Sequence, residues 1–346
     1  MAEFLVISTG GTIASRPGMH GLTPSLPGEE LLSGVRGLER FGRVTVLDLL
    51  SKDSSNMSPE DWKMMAACLR AEESEYDGFL ILHGTDTMAY SASALSFFLP
   101  GFSRPVVITG SMLPMGDPGS DAETNILEGF IFLSALAEQG RKGISIAFHG
   151  HLIHGPRSQK ILSHDSTAFS SINYHELGCI LSGKAVLGKE PFLAGTYPVD
   201  VSSLSVENSI FLVTLFPGFR ARYLEHLTDA EPRAIVLEAL GLGGVPYLGE
   251  NLLPPIARCR EKNIPVVITT QCVYGGVDLS VYEVGRKTLE LGAISGKDMT
   301  REAIIAKLMI TLPATEPDRL EALLHENFCD EITPGGDPLS GVNRPE

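Results

Sequence analysis

Short apolar runs alternate with helix-like segments along the first half of the chain, and most runs end at glycine or polar residues. Apolar runs of this length predict buried strands. Because alternation of strands and helices requires parallel pairing with right-handed crossovers, the sequence predicts an α/β fold with a doubly wound, mostly parallel sheet. The predicted strands are Phe4–Ile7, Val44–Leu50, Gly78–Leu82, Pro105–Thr109 and Gly143–Phe148.

The periodic pattern fades between residues 187 and 208, which predicts two domains. Residues 1–186 form the larger N-terminal α/β domain in this prediction, and 187–208 form a linker. Residues 209–346 form a smaller C-terminal α/β domain. Its pattern predicts strands near 210–215, 234–238 and 265–270 and helices near 250–261 and 300–311.

The charge balance of the chain argues against two classes of main partner. Its 346 residues include 27 Lys+Arg and 42 Asp+Glu, a formal net charge of −15. Nucleic acids and anionic membranes require a basic surface, so we expect neither as a partner. The amino end lacks the features of a secretory signal, no apolar run reaches the length of a membrane span, and the five cysteines are scattered. These features predict a cytoplasmic protein with reduced thiols.

The first predicted strand stops at the turn Thr9-Gly10-Gly11-Thr12. Two glycines allow a sharp turn and leave backbone N–H groups exposed. Thr12 follows the carboxyl end of the strand, where open α/β sheets bind their ligands. A hydroxyl near exposed N–H groups has the parts of a nucleophile and an oxyanion site, and a plain strand-to-loop turn is the alternative. The turn has neither a dinucleotide-binding fingerprint nor a P-loop.

The third strand ends at His83-Gly84-Thr85-Asp86-Thr87-Met88, which places a hydroxyl beside a carboxylate. A lysine held by Asp86 would be able to orient Thr85 for proton transfer. The candidate is Lys160, for which a solvated surface lysine is the alternative interpretation. Because the carboxyl ends of parallel strands meet at one sheet edge, the loops that end at Ser55, Thr85 and Ser111 are predicted to lie near Thr12.

Several histidines raise the question of a metal site. His149, His151 and His154 lie close together in sequence, with His164 and Asp165 following. Their spacing fits no HExxH pair and no cysteine is near, so strand-end and loop histidines are the preferred interpretation and no metal is predicted. His83 is predicted to be a hydrogen-bonded structural histidine, and Trp62 a packing residue.

The two glycine-containing turns together resemble the signature motifs of the asparaginase/glutaminase family. They are Thr9-Gly10-Gly11-Thr12-Ile13-Ala14-Ser15 and His83-Gly84-Thr85-Asp86-Thr87-Met88. The chain is most similar to the type I, cytoplasmic-type bacterial L-asparaginases. The resemblance covers nearly the whole chain and includes Asp53-Ser54-Ser55-Asn56-Met57, Ile108-Thr109-Gly110-Ser111 and Thr270-Gln271-Cys272.

This resemblance implies an amidohydrolase that converts L-asparagine to L-aspartate and ammonia without a metal or an organic cofactor. Thr12 would attack the side-chain amide carbon and form an acyl-enzyme. Thr85, Asp86 and Lys160 would form a triad that moves protons. The family assembles as homodimers or homotetramers. The substrate-binding residues that the resemblance implies are Gly11, Asp53, Ser54, Ser55, Gly84 and Ser111.

Three positions depart from the family pattern. The family's lid loop usually has tyrosine in a Gly-Tyr-x-Pro setting, where this chain has Leu22, which neither donates a hydrogen bond nor passes a proton. Gly244 replaces an asparagine that often reaches across a contact between subunits. Glu238 replaces an arginine of the allosteric asparagine site, where a carboxylate would repel the effector. The possible regulatory or neighbour-subunit positions are Glu238, Gly244, Thr270, Gln271 and Cys272.

Two other kinds of function fit the same residues. An asparaginase-like amidase would act on glutamine or D-asparagine, or as the amidase subunit of a tRNA-dependent amidotransferase. That subunit has an additional N-terminal domain, whereas the first strand here begins at Phe4, and the acidic balance offers tRNA little to bind. A non-catalytic amino-acid sensor is favoured by Leu22 and Gly244 and opposed by the intact set of Thr12, Thr85, Asp86 and Lys160.

Overall fold

A computed structural model describes residues 1–189 and 206–334, which form two compact units. The N-terminal unit contains residues 1–171, 175–189 and 328–330, and the C-terminal unit contains residues 172–174, 206–327 and 331–334. The linker predicted over 187–208 falls mostly on residues 190–205, outside the described residues. The end of the predicted C-terminal domain, from residue 335, lies outside them as well.

The N-terminal unit is built on an eight-stranded sheet with helices in its crossovers and two small two-stranded sheets. Its elements are β1 (Glu3–Gly10), β2 (Ser15–Gly18), β3 (Gly21–Pro24), α1 (Gly28–Ser33), β4 (Arg43–Lys52), α2 (Pro59–Glu72), β5 (Gly78–Leu82), α3 (Met88–Phe98), β6 (Pro105–Thr109), α4 (Ala122–Glu138), β7 (Gly143–Phe148), β8 (His151–His154), β9 (Ser158–Lys160), β10 (Phe169–Ser171), β11 (Gly178–Leu181) and β12 (Lys184–Leu187).

The strand order of the large sheet is β12-β11-β8-β7-β6-β5-β1-β4. The strands β4, β1, β5, β6 and β7 pair in parallel, and β8, β11 and β12 continue the sheet in antiparallel fashion. This arrangement confirms the prediction of an α/β fold with a mostly parallel sheet. Numbered along the chain, the parallel strands follow the order 2-1-3-4-5, so the order reverses between β1 and β5. Ligands of open α/β sheets bind at such a switch point.

The central strands of the large sheet are buried, whereas its edge strand β4 is not. Every residue of β5 and β6 is buried, as expected for strands covered on both faces by α3 and α4 and their neighbours. Among the described strands, β4 pairs with β1 alone, and its residues are exposed or only half-buried. Helix α2 begins with a capping box in which Ser58 and Asp61 satisfy each other's backbone N–H groups.

The C-terminal unit is a smaller α/β unit, as predicted, with four parallel strands in the order β13-β14-β15-β16. Its core packs α5 and α6 against β14 and β15 through residues such as Leu224, Ile256 and Leu237. None of the helices in the described ranges is long and apolar enough to cross a membrane. The elements of this unit are β13 (Ile210–Thr214), α5 (Ala221–Asp229), β14 (Ala234–Ala239), α6 (Leu253–Glu261), β15 (Val266–Thr270), α7 (Glu283–Glu290), β16 (Ile294–Ser295), α8 (Arg301–Thr311) and α9 (Leu320–His325).

Candidate active site

The turn after β1 requires glycine at two successive positions. Gly10 and Gly11 have φ values of 98° and 80°, a left-handed region that side chains avoid. A Cβ atom on Gly10 would also lie 2.6 Å from the backbone N and O of Lys52. The Lys52 carbonyl accepts a hydrogen bond from the Gly11 N–H at 2.8 Å, so the end of β4 holds the turn before Thr12.

Three strand-end turns meet at the switch point, and the glycines there leave no room for a Cβ atom. A Cβ atom on Gly11 would lie 2.3 Å from the N and Cα atoms of Gly84, which follows β5. A Cβ atom on Gly84 would lie 2.6 Å from the Cβ and Oγ atoms of Ser54, which follows β4. The structure therefore brings together the turns that carry Thr12, Thr85 and Ser55, whose proximity the parallel topology predicts.

Lys160 reaches the turn after β5 from the end of β9. Its Nζ atom donates hydrogen bonds to Thr85 Oγ1 at 2.9 Å and to Asp86 Oδ1 at 2.6 Å. The lysine side chain is only 16% exposed, so it is not a solvated surface lysine. Asp86 is 59% exposed and keeps its second carboxylate oxygen toward Ser55, whose hydroxyl lies 3.4 Å away. An ammonium, a hydroxyl and a carboxylate thus form one bonded set.

Thr12 follows Gly11, whose backbone lies against Gly84 at the start of the turn that carries Thr85. Within the described part of the chain, the Thr12 hydroxyl has no hydrogen-bond partner, and neither do the N–H groups of Thr12 and Thr85. The N–H group of Gly11 is not available to a ligand, because it is bonded to the Lys52 carbonyl. A free hydroxyl and free N–H groups at neighbouring strand ends are the components of nucleophilic attack with oxyanion stabilisation.

The loop after β4 presents a carboxylate and two hydroxyls. Asp53 begins a short 3₁₀ helix, and its Oδ1 atom accepts the Ser55 N–H at 2.8 Å. Ser54 is buried, and its carbonyl accepts the Thr87 hydroxyl at 2.8 Å. Asp53 and Ser55 are exposed. Their position beside Asp86 gives the site two carboxylates suited to an ammonium group and a hydroxyl suited to a carboxylate.

Ser111 follows β6 and is fully buried, and its hydroxyl donates a hydrogen bond to the Leu113 carbonyl at 2.5 Å. The carboxylate of Asp121 accepts the N–H groups of Met112 and Leu113, so the loop after β6 is fixed by its own residues. None of these contacts connects Ser111 to Thr12, and its assignment as a substrate-binding residue stays a prediction.

His83 lies at the end of β5 in a buried chain of hydrogen bonds. Its Nδ1 atom is 2.7 Å from the Gly84 carbonyl, and its Nε2 atom is 2.9 Å from Ser91 Oγ. The Trp62 indole N–H donates to the same Ser91 hydroxyl at 2.8 Å. Burial lowers the pKa of His83 to about 4, because desolvation of the cation outweighs the favourable contacts with the Gly84 carbonyl and Asp61. His83 is a hydrogen-bonded histidine, as predicted, whereas the hydrogen bond of Trp62 is not apparent from sequence.

Asp61 connects helix α2 to the other strand end. It accepts a hydrogen bond from Lys52 Nζ at 2.6 Å, and its side chain is 4% exposed. Burial opposes ionisation of Asp61, but the hydrogen bonds from Lys52 and Ser58 outweigh it and lower the pKa of Asp61 below its usual value. Because the Lys52 carbonyl accepts the Gly11 N–H, this ion pair supports the turn that precedes Thr12. Sequence patterns offer no signal for such a pair between separate elements.

The histidines that lie close together in sequence each contact a different partner. His151 pairs with Glu176 at 2.7 Å, which raises the pKa of His151. His154 Nε2 lies 2.6 Å from the Cys329 carbonyl, and His164 Nδ1 lies 2.6 Å from Ser163 Oγ. Across residues 1–189 and 206–334, no group of three or more His, Cys, Asp or Glu side chains is arranged to hold a metal ion.

Leu22 lies in an exposed hairpin that follows Thr12. Strands β2 and β3 pair in antiparallel fashion, with Pro17 opposite Leu22, and the Leu22 side chain is 53% exposed. Arg16 and Glu30 form an ion pair at the base of the hairpin. The hairpin therefore presents an apolar side chain at the position where the family pattern has a phenol.

The predicted regulatory positions lie in the C-terminal unit, where Gln271 bonds to Glu238 and Cys272 bonds to Thr270. Glu238 accepts hydrogen bonds from Thr214 at 2.5 Å and Arg301 at 3.1 Å, and Gln271 Nε2 donates to the Glu238 carbonyl at 3.0 Å. Thr270 donates to the Gly241 carbonyl at 2.6 Å and accepts the N–H of the exposed Cys272. Gly244 closes a short bridge with Leu240. Their regulatory or neighbour-subunit roles stay predictions.

Family models match both parts of the chain. The model for the N-terminal domain of asparaginase matches residues 3–192, and the model for the glutaminase/asparaginase C-terminal domain matches residues 209–323. The chain is 39% identical over 335 residues to an L-asparaginase of Thermococcus kodakarensis, covering 96% of this chain and 99% of that protein. The solved structure of the thermostable L-asparaginase from the same organism superposes with a TM-score of 0.86 at 37% identity, covering 96% and 99% of the two chains.

Two further relatives show similar sequence identity to this chain. L-asparaginase 1 of Escherichia coli is 32% identical over 338 residues, which cover 95% of this chain and 97% of that protein. A glutamyl-tRNA(Gln) amidotransferase subunit of Aeropyrum pernix is 34% identical over 343 residues, which cover 95% of this chain and 79% of that protein. The matched domains, the sheet topology and these relatives agree, and the chain belongs to the asparaginase family.

Proposed function

We propose that this chain hydrolyses the side-chain amide of L-asparagine to L-aspartate and ammonia through an acyl intermediate on Thr12. The observation that carries the proposal is the bonded set of Lys160, Thr85 and Asp86 at the switch point, next to the unpaired Thr12 hydroxyl. Family membership and the identity to L-asparaginases support hydrolysis of asparagine as the reaction.

In the first half-reaction, the Thr12 oxygen attacks the amide carbon while its proton passes to a group of the triad. The free N–H groups of Thr12 and Thr85 stabilise the negative oxygen of the tetrahedral intermediate. The C–N bond then breaks, and the nitrogen leaves as ammonia after taking up a proton. In the second half-reaction, a water molecule that Thr85 and Lys160 activate adds to the acyl carbon, and Thr12 leaves with a proton.

Substrate orientation follows from the charges around the triad. The exposed carboxylates of Asp53 and Asp86 attract the α-ammonium group of the amino acid. The Ser55 hydroxyl beside Asp86 and the buried Ser54 are suited to its α-carboxylate. The Lys160–Asp86 ion pair leaves one Asp86 oxygen for the substrate. These groups are suited to a small zwitterionic amino acid.

The test is ammonia release from a panel of ω-amides containing L-asparagine, D-asparagine and L-glutamine, for wild type and Thr12→Ala. We expect L-asparagine to be the best substrate and Thr12→Ala to be inactive. If the wild-type protein releases no ammonia from any amide, the enzyme assignment fails and an amino-acid sensor remains. If activity persists in Thr12→Ala, the nucleophile assignment fails.

The similarity to the amidotransferase subunit favours one second candidate, an amidase that supplies ammonia to a tRNA-dependent amidotransferase. Such an amidase would require its partner protein and tRNA for full turnover. Ammonia release from free L-asparagine by the isolated chain, unchanged when tRNA is added, would exclude this candidate. The formal charge of −15 disfavours direct tRNA binding.

We further propose a cytoplasmic homodimer or homotetramer. Support for self-association comes from large apolar side chains exposed on the C-terminal unit, including Leu248 at 78% and Tyr282 at 60%. Light scattering coupled to gel filtration measures the mass of the assembly, and a monomeric mass at micromolar concentration would contradict the proposal.

A further inference from the structure

The hydrogen bonds around His83 have only one consistent direction. A carbonyl oxygen only accepts, so the His83 Nδ1 atom, 2.7 Å from the Gly84 carbonyl, carries the proton. The Trp62 indole N–H only donates, so the Ser91 hydroxyl accepts from Trp62 and donates to His83 Nε2. The ring is neutral at pH 7, in agreement with its lowered pKa of about 4. The chain from Trp62 through Ser91 fixes the histidine as the Nδ1–H tautomer.

The acceptor of that proton belongs to the reactive turn. The Gly84 carbonyl is part of the peptide that joins Gly84 to Thr85, so its orientation determines where the Thr85 hydroxyl lies relative to Lys160 Nζ, 2.9 Å away. His83, Ser91 and Thr85 are nearly or fully buried, and water does not compete for the carbonyl. A displacement of about 1 Å at a catalytic group can cost about 100-fold in rate.

We propose that His83 is a positioning residue: through its Nδ1–H bond to the Gly84 carbonyl, set by Ser91 and Trp62, it holds the Thr85 hydroxyl against Lys160. The inference rests on the proposed amidohydrolase function and adds a residue that touches no reacting atom. It also explains why a titratable ring is buried at the end of a catalytic strand.

The same helical turn braces the nucleophile. Asp61, next to Trp62 on α2, holds Lys52, and the Lys52 carbonyl holds the Gly11 N–H. Two adjacent residues of α2 therefore support the two turns that face each other across the switch point. A rigid helix behind both turns limits their relative motion, which two flexible loops would not do.

Two substitutions of His83 separate the two hydrogen bonds of its ring. In His83→Asn, the amide nitrogen lies near the position of Nδ1 and keeps a donor for the Gly84 carbonyl. In His83→Gln, the amide lies near Nε2 and keeps the bond with Ser91 but loses that donor. We expect kcat to fall about 30-fold in His83→Gln and less than about 5-fold in His83→Asn, with KM for L-asparagine nearly constant in both.

Thermal unfolding separates positioning from general instability. Each variant is assayed at least about 15 degrees below its own midpoint, because a domain of this size shifts by a few degrees per kcal/mol. Equal kcat losses in His83→Asn and His83→Gln, or a wild-type kcat in His83→Gln, would overturn the proposal. Trp62→Phe keeps the ring but removes the N–H group, and its kcat is expected between those of wild type and His83→Gln.

A measurement without substrate tests the tautomer directly. Long-range ¹H–¹⁵N spectra of the nine histidines, with the His83 signals identified by their loss in His83→Asn, report which ring nitrogen is protonated. The Nδ1–H form is expected, and an Nε2–H form would refute the proposal. An inactive wild-type protein that still shows the Nδ1–H form would reject the proposed function while confirming the hydrogen bond.

Discussion

The two units of this protein share an architecture but differ at the carboxyl ends of their strands. In the N-terminal unit, the strand order reverses between β1 and β5, and polar groups there stay available: the Thr12 hydroxyl has no partner within the described residues, and Asp86 is 59% exposed. In the C-terminal unit, the order β13-β14-β15-β16 runs without reversal. Crossovers on both sides of a switch point leave a crevice, whereas a sheet wound in one direction does not.

Polar residues alone do not make the difference. Glu238, at the end of β14, is 7% exposed and accepts hydrogen bonds from Thr214 and Arg301. The Gln271 amide donates to two carbonyls, those of Leu215 and Glu238. The polar groups at these strand ends bond to one another, so few donors or acceptors are available to a ligand. A reactive site in a parallel sheet therefore needs both a reversal of strand order and polar groups that the fold leaves unpaired.

Loss of the proposed nucleophile, Thr12, is the largest effect expected from this comparison. Thr12→Ala should lower kcat by about 10⁴-fold or more, because in the proposed mechanism the acyl bond forms on the Thr12 hydroxyl. Thr12→Ser keeps a hydroxyl and should retain measurable turnover. Steady-state ammonia release measures both variants, and comparable rates for Ala and Ser would place the nucleophile elsewhere.

Removal of the triad cation comes next. Lys160→Met keeps the apolar stem but removes the donor to Thr85 and Asp86, and kcat should fall by about 10²–10⁴-fold. If the triad acts as a unit, Thr85→Val combined with Lys160→Met should be no slower than the slower single variant. Additive losses in this double-mutant cycle would show that the two residues act independently.

The pH dependence of stability tests the support behind the catalytic turn. Because burial lowers the pKa of His83 from 6.5 to about 4, the unfolded chain binds more protons than the folded chain between these pH values. Unfolding free energy should therefore decrease by about 3 kcal/mol as pH falls from 6.5 to 4. Denaturant titrations give this quantity, and subtraction of the His83→Asn profile removes the contribution of other groups. A difference profile that does not change with pH would contradict the buried neutral ring.

The smallest effect is expected at the strand ends of the C-terminal unit. Glu238→Gln keeps the shape and one hydrogen-bond acceptor but removes the charge that faces Arg301, and it should cost about 1–2 kcal/mol of unfolding free energy. Glu238→Asp, which keeps the charge on a shorter stem, is the matched control. Chemical denaturation measures both, and kcat should not change. A large loss of kcat with intact stability would show that this cluster takes part in catalysis.

The sequence predicts the parts of the site that depend on local patterns. Apolar runs ending at Gly10-Gly11 and at Gly84 indicate strands and turns, and parallel topology brings those turns to one edge. The link between Lys160 and Thr85 joins residues 75 positions apart, so it follows only from the family resemblance. The hairpin of β2 and β3 escapes prediction because its residues are almost all exposed and have no apolar alternation.

Side-chain hydrogen bonds between distant elements are the least predictable features. The sequence indicates a packing role for Trp62 because its apolar area dominates any pattern, yet its N–H group orders Ser91 and His83. The family resemblance implies that Glu238 repels an effector, and the structure adds that Thr214 and Arg301 donate hydrogen bonds to this carboxylate. Periodicity records which residues are buried, not which donor meets which acceptor.

The contact between Gly11 and Gly84 also constrains the order of assembly during synthesis. The two glycines are 73 positions apart, and β5 must pair with β1 before their backbones meet. Lys160 then arrives only after α3, β6, α4, β7 and β8 have been translated. Contacts of such long sequence separation form slowly, because the entropy of closing the intervening chain is lost first. A ribosome-bound chain that ends before Lys160 would therefore display the turn of the proposed nucleophile without the lysine of the proposed triad.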